Sequence, residues 1–374
     1  MKLPLLAVML LASTLTLKSA ALQESLKPRQ QFFPGQIWPD NNGLPINAHG
    51  GGLLFHNGTY YWFGEHKVGG STGNVAHVGV HCYRSVDLYN WTDAGIALPV
   101  STDSSSEIAK GSIIERPKVI YNTKTGKFVM WFHLELKGQG YKTARTAVAI
   151  SDRPEGPYTF LRSFRPEAGV WPMDITEEEK KPSTGNALQR DFAGGQMSRD
   201  MTLFSDDDGK AYLITASEDN HTLQIHELSE DYQSFSGHYA RVFPGGVNEA
   251  PAVCKHDGHY WMISSGCTGW SPNAARSAVA DSIFGPWKPL GNPCRGVNPA
   301  NKLGPEKTWG GQSTYILPVN GTPECFIAMF DIWNPKNAID GRYVWLPIRF
   351  GKDNFHVTWR NAWGLSTFDS SLPK

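Results

Sequence analysis

An excess charge of either sign is missing from this sequence: 35 lysines and arginines balance 35 aspartates and glutamates. Nucleic acids and anionic membranes hold their partners through surplus basic charge, so neither is expected here. Cysteine is scarce. The five copies, Cys82, Cys254, Cys267, Cys294 and Cys325, match no zinc spacing. A metal-spaced His cluster, a phosphate-cradling Gly loop and a nucleophile elbow are all lacking, so no cofactor or metal is expected. Long apolar runs are also lacking, with one exception. Residues 3–17 are apolar, between Met1-Lys2 and Lys18-Ser19-Ala20-Ala21. A basic start, a short apolar core and small residues predict a signal peptide over residues 1–21, too short for a membrane span. Export, to the periplasm or beyond, is the expected destination. In that oxidising setting Cys267 and Cys294, in loops flanking one strand segment, are the expected disulfide pair. The other three cysteines read as small buried hydrophobes.

What the chain has in plenty is glycine (38), proline (25), tryptophan (13) and tyrosine (13). Such a chain turns often, and its aromatics outnumber what a core usually wants, since each Trp or Tyr carries a polar group to satisfy. Core packing accounts for most of them, and stacking on sugar rings is the expected use of the surplus. One local grammar recurs five times: a short apolar strand, a Gly turn, then an aromatic strand. The turns fall at Gly58, Gly126, Gly209, Gly258 and Gly321. A second motif trails three of the hairpins, at residues 84–91, 150–158 and 280–287, where a strand ends and a turn brings an aromatic back. Repeated hairpins without helical periodicity predict an all-β, five-bladed β-propeller, as one domain over residues 22–374. A two-sheet sandwich is the alternative, but it does not explain five copies of one pattern.

In a propeller the innermost strand of each blade starts beside the central axis. The residues ahead of the five hairpins should therefore converge: His49, Glu115, Asp200, Glu249 and Gln312. Carboxylates facing one another in an aromatic-lined pocket are the apparatus of glycoside hydrolysis. Glu249, set among apolar neighbours ahead of Pro251, suits a general acid whose pKa is raised by burial, with Asp200 close enough to tune it. His49, beside three glycines, is either a contact to a sugar hydroxyl or a structural histidine.

These residues also carry a resemblance. The stretch 46–52, the strand 60–65, Glu115-Arg116-Pro117, Ser198-Arg199-Asp200-Met201 and Glu249-Ala250-Pro251 resemble glycoside hydrolase family 43, and within it the exo-β-1,3-galactanase subfamily. The resemblance covers nearly all of the chain after residue 21. It implies a five-bladed propeller and an inverting exo-hydrolase that takes galactose from the β-1,3-galactan backbone of type II arabinogalactan. It implies Glu249 as general acid and Asp200 as the aspartate that adjusts its pKa. The family's ordinary base, an Asp at the start of the first blade, has no counterpart at His49 or Gly50. As in the galactanase subfamily, Glu115 and Gln312 would handle the water instead, Glu115 supplying charge and Gln312 orientation. Glu65, Tyr141, Asn220 and Thr268 resemble galactose-contacting positions. An arabinofuranosidase or other galactosidase on the same scaffold is the near alternative, and a sugar-binding propeller without catalysis the distant one. The partner expected is an oligo- or polysaccharide, bound by a monomer with no appended carbohydrate-binding domain.

Overall fold

The computed structural model describes residues 28–322 and 324–368; the expected signal peptide lies outside them. Five antiparallel sheets stand in a ring. Blade 1 contains β1 (His49–His56), β2 (Thr59–His66), β3 (Gly79–Ser85) and β4 (Thr92–Pro99). Blade 2 contains β5 (Ile113–Asn122), β6 (Lys127–Glu135), β7 (Arg145–Ser151) and β8 (Thr159–Phe164). A short helix, α1 (Ala187–Arg190), lies in the excursion to blade 3, built from β9 (Met201–Ser205), β10 (Ala211–Ser217), β11 (Thr222–Leu228) and β12 (Phe235–Val242). Blade 4 contains β13 (Glu249–His256), β14 (His259–Ser265), β15 (Ala275–Ala280) and β16 (Lys288–Gly291). A two-residue strand, β17 (Cys294–Arg295), precedes blade 5 in the chain but pairs on its outer edge, parallel to β21 (Phe355–Thr358). The rest of that blade is β18 (Gln312–Pro318), β19 (Phe326–Ile332) and β20 (Arg342–Phe350).

All five predicted hairpins are present, each as the two inner strands of a blade. At Asn57-Gly58 and Asp257-Gly258 both turn residues have positive φ (48° and 78°, 50° and 76°). That is the two-residue turn whose twist matches the strands it joins. Middle strands such as β10 are buried at every residue. A sheet packed between two neighbouring blades has no wet face, which is why these strands read as unbroken apolar runs without alternation. Outer strands such as β8 and β16 are mostly half-buried or exposed. The outer turn of blade 3 escaped the sequence pattern. There Ser229 donates to Asp231 (2.6 Å), as Ser85 does to Asp87 in blade 1 (3.0 Å).

Most of the surplus aromatics close the ring. Trp62, Trp91, Trp131, Trp309 and Trp345 are fully buried. Trp38, Trp62, Trp91, Tyr343 and Trp345 pack edge-on or tilted between blades 1 and 5. Phe32 and Trp363 exchange backbone hydrogen bonds (2.7 and 3.1 Å), so the N-terminal leader seals the seam.

One irregularity repeats and it sets up the site. The inner strands β1, β5 and β13 each carry a β-bulge immediately after His49, Glu115 and Glu249. The next residue is left-handed in all three: Gly50 (φ 63°), Arg116 (φ 56°) and Ala250 (φ 54°). A bulge re-aims the side chain beside it, here toward the axis. For Arg116 and Ala250, which carry a Cβ, that conformation costs on the order of 1 kcal/mol each. Pro117 and Pro251 follow directly, where the interrupted ladder asks for no N–H.

Candidate active site

Across the bulges the inner-strand ladders pair Glu115 with His133, Glu249 with Ser265, Gln312 with Asp331 and His49 with Glu65. Asp200 sits just ahead of β9, its carbonyl accepting from Ala216 N–H (2.9 Å). These positions surround the axis at one end of the ring. A cavity of about 220 Å³ opens there, lined by Glu65, Glu115, Tyr141, Asp200, Asn220, Glu249 and Gln312 among others. It is smaller than the roughly 300–1,000 Å³ usual for ligand sites, so it suits one sugar ring better than a chain.

Glu249 is 9% exposed. Its Oε1 accepts from Gln312 Nε2 (3.1 Å) and its Oε2 from Asn220 Nδ2 (3.1 Å). Burial, and after it the charge of Asp200, push its pKa up to about 7. Glu115 meets the opposite environment. Its Oε1 accepts from the Tyr141 hydroxyl (2.6 Å) and its Oε2 from His133 Nδ1 (3.1 Å). Burial works against its charge, but His133, Lys67 and Tyr141 outweigh it and hold the carboxyl down at about 2. His133 is sandwiched between Glu115 and Glu135, to which its Nε2 donates (3.0 Å). Burial opposes its charge too, and the two carboxylates still raise it to about 9. One carboxyl thus titrates near neutrality while the other stays ionised there.

Arg116 ties the floor together. Its guanidinium donates to Asp200 Oδ2 (2.9 Å), Gln312 Oε1 (2.5 Å) and the Ser313 carbonyl (2.7 Å). Its backbone N–H donates to Glu65 Oε1 (2.9 Å), while Lys67 Nζ lies 2.5 Å from Glu65 Oε2. Gln312 is fully engaged, donating to Glu249 and Ser265 and accepting from Arg116 and Trp333. In this arrangement it braces the acid, and it reaches a water only by exchanging one of those partners.

Gly50, one of the two positions where an Asp at the start of the first blade would fall, has no free room for a side chain. A Cβ on Gly50 would lie 2.2 Å from Glu65 Oε1. The Glu65 carboxylate occupies the space a longer side chain would need.

The expected disulfide needs correction, and His49 and Thr268 stand outside the cavity lining. His49 does not reach the cavity. It is 1% exposed, its ring lies against Tyr343 (5.4 Å) and Trp333 (6.3 Å), and burial holds it neutral, its pKa pushed down to about 3. Thr268, exposed between the lining residues Cys267 and Gly269, is not part of the lining, and its hydroxyl is engaged within its own loop. It donates to the Ser271 carbonyl (2.5 Å) and accepts from Asn273 Nδ2 (2.8 Å). Cys267 and Cys294 are not paired but free. The loop after β14 carries Cys267 to the cavity rim, where its sulfur accepts from Asn220 Nδ2 (3.6 Å), whereas Cys294 is buried in β17 on the outer edge of the next blade.

Asn74, His133, Trp270 and Trp333 line the cavity without a role in the sequence reading, and Arg116 and Arg199 are named there only as parts of motifs. His133 was nearly within reach, since hairpin register counted from the turn falls one residue short of it, at Leu134. The others stand on connections whose course depends on the ring.

Comparison with known proteins fits this architecture. Residues 182–305 match the family model for glycosyl hydrolases family 43. A β-1,3-galactosidase of that family, solved with galactodeoxynojirimycin, is 53% identical, the match covering 89% of this chain and 100% of that one (TM-score 0.83). An exo-β-1,3-galactanase from Clostridium thermocellum is 36% identical over 89% of this chain and 66% of that one (TM-score 0.75). A β-D-galactofuranosidase of Aspergillus niger is 34% identical over 144 residues, 38% of this chain; the match spans only 35% of that curated relative's length.

Proposed function

This chain belongs to glycoside hydrolase family 43, and from that premise we propose that it is an exo-acting β-1,3-galactosidase. It removes galactose, one residue at a time, from the β-1,3-galactan backbone of type II arabinogalactan. The observation that carries this reading is the opposed pair of carboxyls, Glu249 at about 7 and Glu115 at about 2 in one pocket. Titratable groups pushed apart in this way mark the acid and its ionised counterpart. Glu249 gives its proton to the glycosidic oxygen as the bond to C1 breaks. Asn220 and Gln312 hold both of its oxygens, so the proton is presented in one direction. A water on the far side attacks C1, polarised by the Glu115 carboxylate and losing its proton toward it. Asp200, fixed by Arg116, keeps Glu249 protonated until the sugar arrives. A single displacement inverts the anomeric carbon. The basic start and apolar run at residues 1–18 support an exported enzyme, which would meet polysaccharide outside the cytoplasm.

Incubation with β-1,3-galactan tests the reading. Galactose should be released, and early NMR spectra should show the α-anomer first. Glu249→Gln should lower the rate ~10²–10⁴-fold without unfolding the protein. β-Galactose as the first product would require a covalent intermediate and a nucleophile ~5 Å from the acid. Binding without turnover would leave a sugar-binding propeller.

A further inference from the structure

We propose that Trp270 is the platform for the leaving sugar, the galactosyl unit that departs when the terminal galactose is cut off. The inference rests on the hydrolase reading above and adds the residue that selects a sugar as leaving group.

The argument begins with the direction of the proton. Glu249 must deliver it to the bond's oxygen, so the departing sugar lies on the Glu249 side of the cavity. Glu249 opens β13, and its partner in the ladder, Ser265, closes β14. The chain leaves Ser265 straight into the loop 266–273, which places Cys267, Gly269 and Trp270 on the cavity wall. Whatever leaves past Glu249 passes this loop.

The loop is built to hold one shape. Asn273 Oδ1 accepts from Gly266 N–H (2.8 Å), and its Nδ2 donates to the Gly266 carbonyl (2.9 Å) and the Thr268 hydroxyl (2.8 Å). Thr268 closes the turn on the Ser271 carbonyl. Trp270 is therefore carried on a braced loop, and ordering it costs little when a ligand arrives.

Nine other tryptophans are buried, but Trp270 is 48% exposed. Its ring meets Trp333 at 6.1 Å and 71°, forming a corner. Trp333 is the inner wall of that corner: its indole N–H points to Gln312 Oε1 (3.3 Å), and the Arg116 guanidinium lies 5.6 Å from its ring. Trp270 is the outer wall, with an open apolar face and no task inside the protein. A galactopyranose offers the matching surface, because its axial hydroxyl leaves one ring face lined by C–H groups. Such a face gains by covering an aromatic ring.

The test compares leaving groups. Trp270→Ala and Trp270→Phe are assayed on β-1,3-galactobiose, which loses a sugar, and on β-galactosyl fluoride, which loses an ion. Trp270→Ala should lower kcat/KM on the disaccharide about tenfold or more, leave the fluoride within about twofold, and Trp270→Phe should recover most of the loss. Equal losses on both substrates would overturn the proposal, since they would report a merely structural role. No loss on galactobiose would overturn it too. If the unsubstituted enzyme cleaves neither substrate, the hydrolase reading fails and takes this inference with it. Failure confined to the variants leaves that reading standing.

Discussion

Replacing Asp200 by Asn removes a charge and keeps the shape, which isolates what that charge does to the acid. With a pKa of about 7, Glu249 is roughly half protonated at pH 7. Burial is the larger cause of that raised value, and it survives the substitution. The like charge of Asp200 is the second cause, and such a neighbour typically accounts for ~1–2 pKa units. Arg116 loses its Asp200 partner (2.9 Å) in the variant, and its freed charge pushes Glu249 further down. Glu249 should therefore titrate at roughly 5–6, still above an ordinary carboxyl. The sign follows: catalysis needs the protonated form, which is lost as pH rises through the pKa. At pH 7 only about one-tenth to one-hundredth of the variant is protonated, and kcat/KM falls ~5- to 50-fold relative to the parent. Near pH 4 the two enzymes should converge. The assay is kcat/KM on galactobiose from pH 4 to 9, with thermal melts to confirm folding. A loss of the same size at every pH, with the basic limb unmoved, would refute the electrostatic role and leave Asp200 as an anchor for Arg116.

Two further substitutions probe the water side. Glu115→Gln removes the anion facing His133 and Tyr141; turnover should fall ~10²-fold or more while calorimetry still detects galactose oligosaccharides, and normal turnover would mean that another group activates the water. Gly50→Asp, which would put an Asp back at the start of the first blade, should not restore an ordinary base. Its Cβ would lie 2.2 Å from Glu65 Oε1 at φ 63°, so about 2 kcal/mol or more of stability and most activity should go; an unchanged melting temperature or a faster enzyme would show that Glu65 yields.

The blade architecture was legible because its signals are local. An Asn-Gly or Asp-Gly pair sets the turn, an aromatic run sets the strand after it, and a few residues of chain contain both. Glu249 could be singled out for the same reason, with a lone carboxylate and Pro251 at the mouth of such a hairpin. The cross-strand partner of Glu115 was not countable in the same way, because the bulge moves it from Leu134 to His133.

Other features belong to the closed ring. Gly50 N–H meets Asp331 across 281 positions of sequence, and Arg116 reaches Gln312 across 196. No local pattern encodes such contacts, because they exist only once blade 5 has come round to blade 1. Cys267 and Cys294 show the converse. They lie close in sequence, yet the chain between them runs from the cavity rim to the outer edge of the next blade. The residue types for acid chemistry were written in the sequence. Their protonation was not, because a pKa answers to burial and to neighbouring charge, and for Glu249 both come from other blades: Asp200 and Asn220 from blade 3, Gln312 from blade 5.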